Sequence, residues 1–353
     1  MHLASRLQVR ANAAVLPFLA LPKPLSFIGP DASLTLARTI AGSGVRKIML
    51  VTDAVLVKLG LLAQILDVLD RADVGIEVFD QVLPDPDFDT VLAGVERLRQ
   101  SAAQAVLTVG GGSPIDCAKA ILMSHANDCH PAKLAGLWLY ARPRPRCLPF
   151  YAIPTTAGTG SEVGRSTVVA DDVTHVKKVI FSPRLLAKAV FADPELTTAL
   201  PPAVTAATGL DAMTHLIEAF LAKGWHPMAD GIALEGLHLS AKALPAAFAN
   251  GNDLKARGDM LMASMMGAVA FQKGLGIVHS CAHALSAIVD MQAVSRNIEA
   301  LSKHGVKLAL LGFGAGHLSL ASLSSFRCER VEVTEQWVVD NWNRLLVTIK
   351  AEA

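Results

Sequence analysis

The chain has 353 residues, of which 52% are hydrophobic and 18% charged, and its formal net charge at pH 7 is +1. This composition is typical of a compact globular protein and excludes an intrinsically disordered chain. Because basic residues are scattered and balanced by acids, we expect neither nucleic acid nor a membrane surface as the main partner.

Cysteine usage and hydropathy predict a cytoplasmic protein. The five cysteines form no CxxC pair, so we expect reduced thiols. No stretch approaches about 18 uninterrupted apolar residues, so no transmembrane helix is predicted. The first 30 residues contain no acid and carry Arg6, Arg10 and Lys23, which faintly resembles a targeting segment. An ordinary N-terminal extension is the favoured alternative.

Between about residues 25 and 200, short β-rich runs alternate with helical patterns. This alternation predicts a parallel sheet with both faces covered by helices. The proline- and aspartate-rich stretch 82–89 predicts a turn and a helix start, with Asp85 or Asp87 as the cap. The predicted strands are 47–53, 75–82, 105–109 and 149–156, and the predicted helices between them are 54–72 and 88–103.

A glycine-rich turn follows the predicted strand 105–109. Glycines 110–112 let the backbone approach a ligand closely, while Ser113 is a good N-cap and Pro114 suits a first helical turn. The free N–H groups and dipole of such a helix start favour a pyrophosphate. The spacing is not GxGxxG, and the alternative is a tight turn without a ligand.

A second loop, IPTTAGTGSEVGRS (153–166), follows the next strand. Thr155, Thr156, Thr159 and Ser161 offer hydroxyl and backbone donors that suit the ribose or phosphates of a cofactor. The alternative is a solvated polar loop. At the same sheet edge as the glycine turn, this loop predicts part of a cofactor site.

After about residue 200 the pattern becomes helical, with helices predicted over 201–224, 228–251 and 253–274. We therefore predict two domains, an α/β domain over 1–200 and a helical domain over 201–353. The cleft between two such domains is a favoured place for a ligand.

Two pairs of polar residues stand at i and i+4 in otherwise apolar helical stretches. These pairs are Asp211 with His215 and His279 with His283. Such spacing places both side chains of a pair on one helix face. A carboxylate with imidazoles suits Fe²⁺ or Zn²⁺, and polar groups on apolar helices need partners. The alternative for each pair alone is a surface or core hydrogen bond.

Four ordered motifs, GGGSPIDCAKA, PTTAGTGSEV, DPELTTALPPAVTAATGLDAMTHLIEAF and GIVHSCAHALS, together resemble the iron-containing (group III) alcohol dehydrogenase family. The resemblance runs from about Phe27 to Met291. It implies an α/β dinucleotide-binding domain with a parallel sheet, followed by an all-α metal-binding domain, as in dehydroquinate synthase-like proteins.

The resemblance also implies roles for individual residues. Asp53 corresponds to the acid near the adenosine ribose, and a carboxylate there favours NAD over NADP. His283 corresponds to a histidine beside the nicotinamide, and we predict that it relays protons as the catalytic residue. The implied metal ligands are Asp211, His215 and His279. The implied cofactor-binding residues are Asp53, Gly110, Gly111, Gly112, Ser113, Thr155 and Thr156.

The family pattern departs after about Met291. Ala293 stands where the family has its fourth ligand, a histidine, and alanine cannot ligate a metal. His304, which is followed by glycine, is a possible substitute. Otherwise the C-terminal part is altered or truncated, and metal binding is expected to be weaker.

The sequence favours a metal-dependent oxidoreductase that transfers a hydride between a small primary alcohol or aldehyde and NAD. Fe²⁺ or Zn²⁺ would act as a Lewis acid on the substrate oxygen. The resemblance implies a homodimer or higher homo-oligomer. One alternative is a nucleotide-binding homologue without a complete metal site. Another is a metal-dependent hydrolase, which would leave both cofactor loops unexplained.

Overall fold

The computed structural model describes residues 24–135, 147–172 and 176–286, and two short strands beyond them. The strands are β1 (Leu25–Ile28), β2 (Lys47–Val51), β3 (Gly75–Phe79), β4 (Ala105–Gly110), β5 (Phe150–Pro154), β6 (Ser166–Ala170), β7 (Lys177–Phe181), β8 (Ala189–Ala192), β9 (Ala309–Phe313) and β10 (Arg330–Val333). The helices are α1 (Ala32–Gly42), α2 (Ala54–Lys58), α3 (Ala63–Asp70), α4 (Phe88–Ser101), α5 (Gly112–Asn127), α6 (Pro202–Leu221), α7 (Pro227–Ala249), α8 (Leu254–Ala270) and α9 (Ile277–Ser286).

Six strands form one parallel sheet in the order β1-β8-β5-β4-β2-β3. The pleat of β2 sends Met49 and Val51 into a core that also contains side chains of α4 and α5. Ile48 and Leu50 point to the opposite face, where they share a core with α1 and α3. Both faces are therefore covered, as the sequence predicts.

The strand order places a switch point between β2 and β4. The chain leaves β2 through α3 on one face and reaches β3, whereas it leaves β4 through α5 on the other face and reaches β5. In parallel α/β sheets, ligands bind in the crevice at the carboxyl ends of strands that diverge in this way. Asp53 and the glycine turn follow β2 and β4 at this edge.

Helices α6, α7 and α8 pack against one another and carry small buried side chains at their contacts, including Ala219, Ala233 and Ala270. Helix α8 also joins the core of the sheet, because Leu261 and Met265 belong to the same cluster as β2 and α5. The predicted fold class is confirmed. The chain divides into compact units of residues 1–283 and 284–353, and the domain boundary near residue 200 stays a prediction.

Several elements differ from the sequence prediction. The helix predicted over 54–72 is two helices, because the chain turns at Gly60, whose φ is 70°. Strands β1 and β8 and the antiparallel hairpin β6–β7 were not predicted. Beyond residue 291 the structure describes only the parallel pair β9 and β10, which the predicted helical pattern did not include.

The two candidate caps before α4 have different roles. Asp87 caps the helix, since its side chain accepts a hydrogen bond from the Thr90 N–H at 2.8 Å. Asp85 instead has a left-handed backbone, with φ 54°, and pairs with Lys177 at 2.8 Å. Among the helices in the described part of the chain, none is long and apolar enough to cross a membrane.

Candidate metal and cofactor site

The glycine turn lies at the carboxyl end of β4, where helix α5 begins. The N-cap of α5 is Gly111, and Ser113 lies inside the first turn without making a cap hydrogen bond. The prediction that Ser113 is the N-cap is therefore wrong, because the helix starts one residue earlier than the serine. Since no side chain caps the helix, its first N–H groups are donors suited to an anion.

The loop 153–166, which we call the threonine loop, packs directly on this turn. The Thr155 N–H donates to the Gly110 carbonyl at 3.0 Å. A Cβ atom on Gly111 would lie 3.0 Å from Thr156 Oγ1, and one on Gly112 would lie 2.8 Å from Thr159 Cγ2. Glycine is needed at both positions because the loop occupies the space of a side chain. The structure thus brings the two predicted loops together.

Asp53 follows β2 at the same sheet edge and is the N-cap of α2. Its Oδ1 accepts hydrogen bonds from the Val55 and Leu56 N–H groups, both at 3.0 Å. These two bonds fix the carboxylate beside the switch point. Its predicted contact with an adenosine ribose stays a prediction.

The threonine loop also reaches the helical part of the molecule. Ser264 Oγ donates to the Gly158 carbonyl at 3.0 Å. Gly160, with φ 58°, lies so close to α8 that an added Cβ would be 2.5 Å from Ala268 Cβ. A Cβ on Gly158 would be 3.0 Å from Thr208 of α6, one turn before Asp211. One loop therefore connects the sheet edge to α8 and to α6, the helix that carries Asp211 and His215.

The structure brings Asp211, His215 and His279 together. One ligand atom from each lies within 4.8 Å of the others. Asp211 Oδ2 lies 3.9 Å from His215 Nδ1, and Asp211 Oδ1 lies 3.4 Å from His279 Nε2. The two imidazole rings are stacked, with their centroids 4.3 Å apart. Helix α6 supplies two of these groups and helix α9 the third, 64 residues later in the chain (279 − 215).

The state of His215 fits a metal ligand. Its Nδ1 is buried and makes no hydrogen bond, which is costly unless another partner is present. Burial lowers the pKa of His215 to about 4, although Asp211 and the Gly158 backbone act in the opposite direction. The ring is therefore neutral near pH 7, and neutral imidazole is the form that binds metal.

Glu218, which the sequence analysis missed, orients His279. Its Oε2 lies 2.5 Å from His279 Nδ1, and its Oε1 accepts the Val278 N–H at 2.6 Å. This contact at Nδ1 leaves Nε2 of the same ring facing Asp211. A carboxylate behind a ligating histidine fixes the ring and raises its basicity. The only signal in the sequence is that Glu218 follows His215 by three positions, on one helix face.

The charge around His279 favours a cation. Burial lowers the pKa of His279, but the hydrogen bonds and charges of Asp211 and Glu218 outweigh burial and raise it. Burial raises the pKa of Glu218, but its hydrogen bonds from His279 and two backbone N–H groups outweigh that effect and lower it. The negative charge of these two carboxylates favours a cation beside the imidazoles, and one carboxylate with two imidazoles is a donor set suited to a divalent ion.

Three further residues that the sequence analysis names for this site have side chains outside the described part of the chain. His283 lies on α9, one turn after His279, but its side chain is outside the described residues. Ala293 and His304 also lie outside the described residues. The proton-relay role of His283 and the substitution of His304 for the fourth ligand stay predictions.

Fold and site together define a class of protein in which a parallel α/β sheet is followed by helices that carry a cluster of potential metal ligands. The family model described as iron-containing alcohol dehydrogenase matches residues 24–194, and the model of the C-terminal part of that family matches 205–295. The chain belongs to the iron-containing alcohol dehydrogenase family. The predicted family is confirmed.

Known relatives and solved structures agree with this assignment. The chain is 36% identical to alcohol dehydrogenase 4 of Saccharomyces cerevisiae over 263 residues, covering 74% of this chain and 68% of the relative. It is 36% identical to the NAD-dependent methanol dehydrogenase of Bacillus methanolicus over 270 residues, covering 76% and 70%. A crystal structure of 1,3-propanediol oxidoreductase superposes with a TM-score of 0.72 at 37% identity, covering 75% of this chain and 69% of that one.

Proposed function

We propose that the protein is an NAD-dependent alcohol dehydrogenase that uses a divalent metal ion, Fe²⁺ or Zn²⁺, to interconvert a small primary alcohol and its aldehyde. The observation that carries the proposal is the convergence of Asp211, His215 and His279, with Glu218 behind the third ligand. Family membership supports the same activity.

The proposed metal ligands are Asp211, His215 and His279. Two histidines and one carboxylate are a known ligand set for a catalytic metal that keeps positions open for substrate. A divalent ion held there would supply Lewis-acid polarisation of the substrate oxygen. Glu218 would keep the His279 ring in place, and the buried His215 would stay neutral and available as a ligand.

The cofactor proposal rests on the switch-point edge. The uncapped N-terminus of α5 would bind the pyrophosphate, and Thr155 and Thr156 would contact it from the facing loop. Asp53 would accept a hydrogen bond from the ribose and disfavour a 2′-phosphate, so NAD is proposed over NADP. The name of the Bacillus methanolicus relative, an NAD-dependent enzyme, supports this choice.

For the proton, we propose that His283 exchanges it between the site and solvent, because histidine titrates near neutral pH. The proposed substrate class, a small primary alcohol, is supported by the names of relatives, which refer to an alcohol, to methanol and to 1,3-propanediol. The cytoplasmic location and the homodimeric assembly expected from the sequence stay proposals.

The test is metal-dependent NADH formation. Chelator-treated protein is loaded with Fe²⁺ or Zn²⁺, bound metal is measured, and NADH absorbance is followed with ethanol, methanol and 1,3-propanediol. His215→Ala should lose bound metal and activity, whereas His238→Ala, which removes an exposed histidine of α7, should lose neither.

The same experiment separates the alternatives. Retained NADH binding without metal uptake by the wild-type protein would support the nucleotide-binding homologue, which the family and the ligand cluster do not favour. Failure to bind NADH would contradict the proposal as a whole. Loss of bound metal in His304→Ala would assign that histidine to the site, and an unchanged metal content would remove it.

A further inference from the structure

A buried lysine, Lys119, connects the helix that follows the glycine turn to the threonine loop. It lies on α5, two turns after the glycine turn, and its side chain is completely inaccessible to solvent. Its Nζ donates to three backbone carbonyls, those of Ser161, of Gly164 at 3.0 Å and of Ser166 at 2.9 Å. These carbonyls lie in the C-terminal part of the threonine loop, residues 153–166.

The three carbonyls explain why an ammonium group is needed. An ammonium ion has three N–H donors, which is the number of carbonyl oxygens that converge on this point. Removing the donors would deprive the Gly164 and Ser166 carbonyls of this partner, whereas the Ser161 carbonyl would keep its hydrogen bond from the Gly164 N–H at 3.0 Å. An apolar side chain at position 119 would avoid burying a charge but could not hold this backbone.

The surroundings of Lys119 balance its charge. Asp116, one turn earlier on α5, accepts hydrogen bonds from Ser161 Oγ and from the Val168 N–H, the latter at 2.9 Å. Burial lowers the pKa of Lys119 to about 8, while Asp116 and Glu162 act against it. Burying opposite charges near each other is costly, and such an arrangement can serve to fix one conformation of the chain.

The contacts continue from Lys119 to the cofactor side of the loop. The Ser161 N–H donates to Thr159 Oγ1 at 3.2 Å, so the residue that Lys119 holds also fixes Thr159. Thr159 in turn packs on Gly112, at the start of the helix that carries Lys119. Lys119 therefore closes a ring of contacts that sets the spacing between the glycine turn and the threonine loop.

We infer that Lys119 is a positioning residue for the dinucleotide: it holds the threonine loop at the distance from the glycine turn at which both loops contact the pyrophosphate. The inference rests on the proposed function for the identity of the ligand. Lys119 touches neither cofactor nor substrate, and it acts through Thr156 and Thr159. Its removal should weaken NAD binding and leave the metal site intact.

The test compares NADH affinity in two variants. Lys119→Met removes the donors, and Asp116→Asn with Lys119→Met also removes the acid that would otherwise be left unbalanced. Both should bind NADH about tenfold more weakly or worse, with KM for NAD raised in proportion. Bound metal, KM for the alcohol, and kcat at saturating NAD should stay within about twofold of wild type.

The double variant separates positioning from stability. Because it also lacks the Asp116 carboxyl that Lys119→Met leaves without its cation, its unfolding temperature should recover relative to Lys119→Met, while its NADH affinity stays low. If Lys119→Met alone does not fold, the double variant carries the comparison. Lys273→Met is the matched control: it removes another buried lysine, which bonds Asp230 and the Phe220 carbonyl, and should leave NADH affinity unchanged.

Two results would overturn the inference. One is a double variant whose NADH affinity equals that of wild type, since the proposed function would then stand without any role for Lys119. The other is an equal loss of NADH affinity in Lys273→Met, which would mark the effect as general loss of stability. Wild-type protein that binds no NADH would overturn the proposed function and this inference together.

Discussion

Replacing Glu162 by glutamine should remove a pH dependence from the stability of the protein. Glu162 is 1% exposed, and its Oε1 has no hydrogen-bond partner. Burial raises the pKa of this carboxyl from 4.5 to about 7, against the opposing effects of a backbone hydrogen bond and Lys119. The folded protein therefore keeps a proton that the unfolded chain has already lost.

The sign and size follow from this difference. Below about pH 4.5 both states hold the proton, and the contribution of Glu162 to stability is fully present. As the pH rises to about 7, the unfolded chain loses its proton first, so the contribution is lost. The two pKa values differ by about 2.5, and each unit corresponds to about 1.36 kcal/mol, which gives about 3 kcal/mol.

The measurement is urea unfolding of wild type and Glu162→Gln between about pH 4.5 and pH 7.5, with a chelator present so that metal binding does not contribute. The free energy of unfolding of the variant, minus that of wild type, should rise by about 3 kcal/mol over this range. Glu235→Gln, at an exposed position of α7, should give a constant difference. Parallel curves for wild type and Glu162→Gln would refute the reasoning.

Three further predictions follow from single contacts. Glu218→Gln should weaken metal affinity about 10- to 100-fold in a metal titration, because the amide no longer fixes His279 as a carboxylate does. Gly112→Ala should weaken NADH binding, measured by fluorescence, because the added Cβ would lie 2.8 Å from Thr159 Cγ2 and would displace the threonine loop. Gly94→Ala should lower the free energy of unfolding in urea by about 1–3 kcal/mol, since its Cβ would lie 2.3 Å from Ile121 Cδ1.

Much of the fold can be predicted from the sequence because apolar residues repeat at regular spacing within the longer helices and strands. The apolar spacing of α6, α7 and α8 and the β-rich runs of β2 to β5 are local properties, and the structure has these elements within a few residues of the predicted bounds. Strands β1 and β8 were missed because each has only four residues, and pairing with a distant strand defines them. The hairpin β6–β7 was missed for a different reason: the residues between its strands contain no Asn-Gly or Asp-Gly pair, the usual sequence signal of a hairpin turn.

The sequence indicates some residues of the candidate site and not others, because only some of them belong to a local pattern. The i, i+4 spacing of Asp211 with His215 and of His279 with His283 is a feature of the sequence itself, and the family resemblance singles out His279 of the second pair as a ligand. Glu218 and Lys119 were not predicted, because their partners lie 61 and 42 residues away and no local pattern links them. Ser113 was taken for a cap because serine has that preference, whereas the backbone of Gly111 decides where α5 begins.

Under the proposed function, the departure from the family pattern at Ala293 should affect the strength of metal binding more than its existence. Catalytic metal sites commonly have three protein ligands and an open position, and the converging Asp211, His215 and His279 would form such a set. Glu218 strengthens it, because a ring held at Nδ1 does not have to be ordered again when Nε2 binds the ion. A fourth histidine would raise affinity by occupying a further position. The described residues therefore contain the three proposed ligands and the carboxylate that orients one of them.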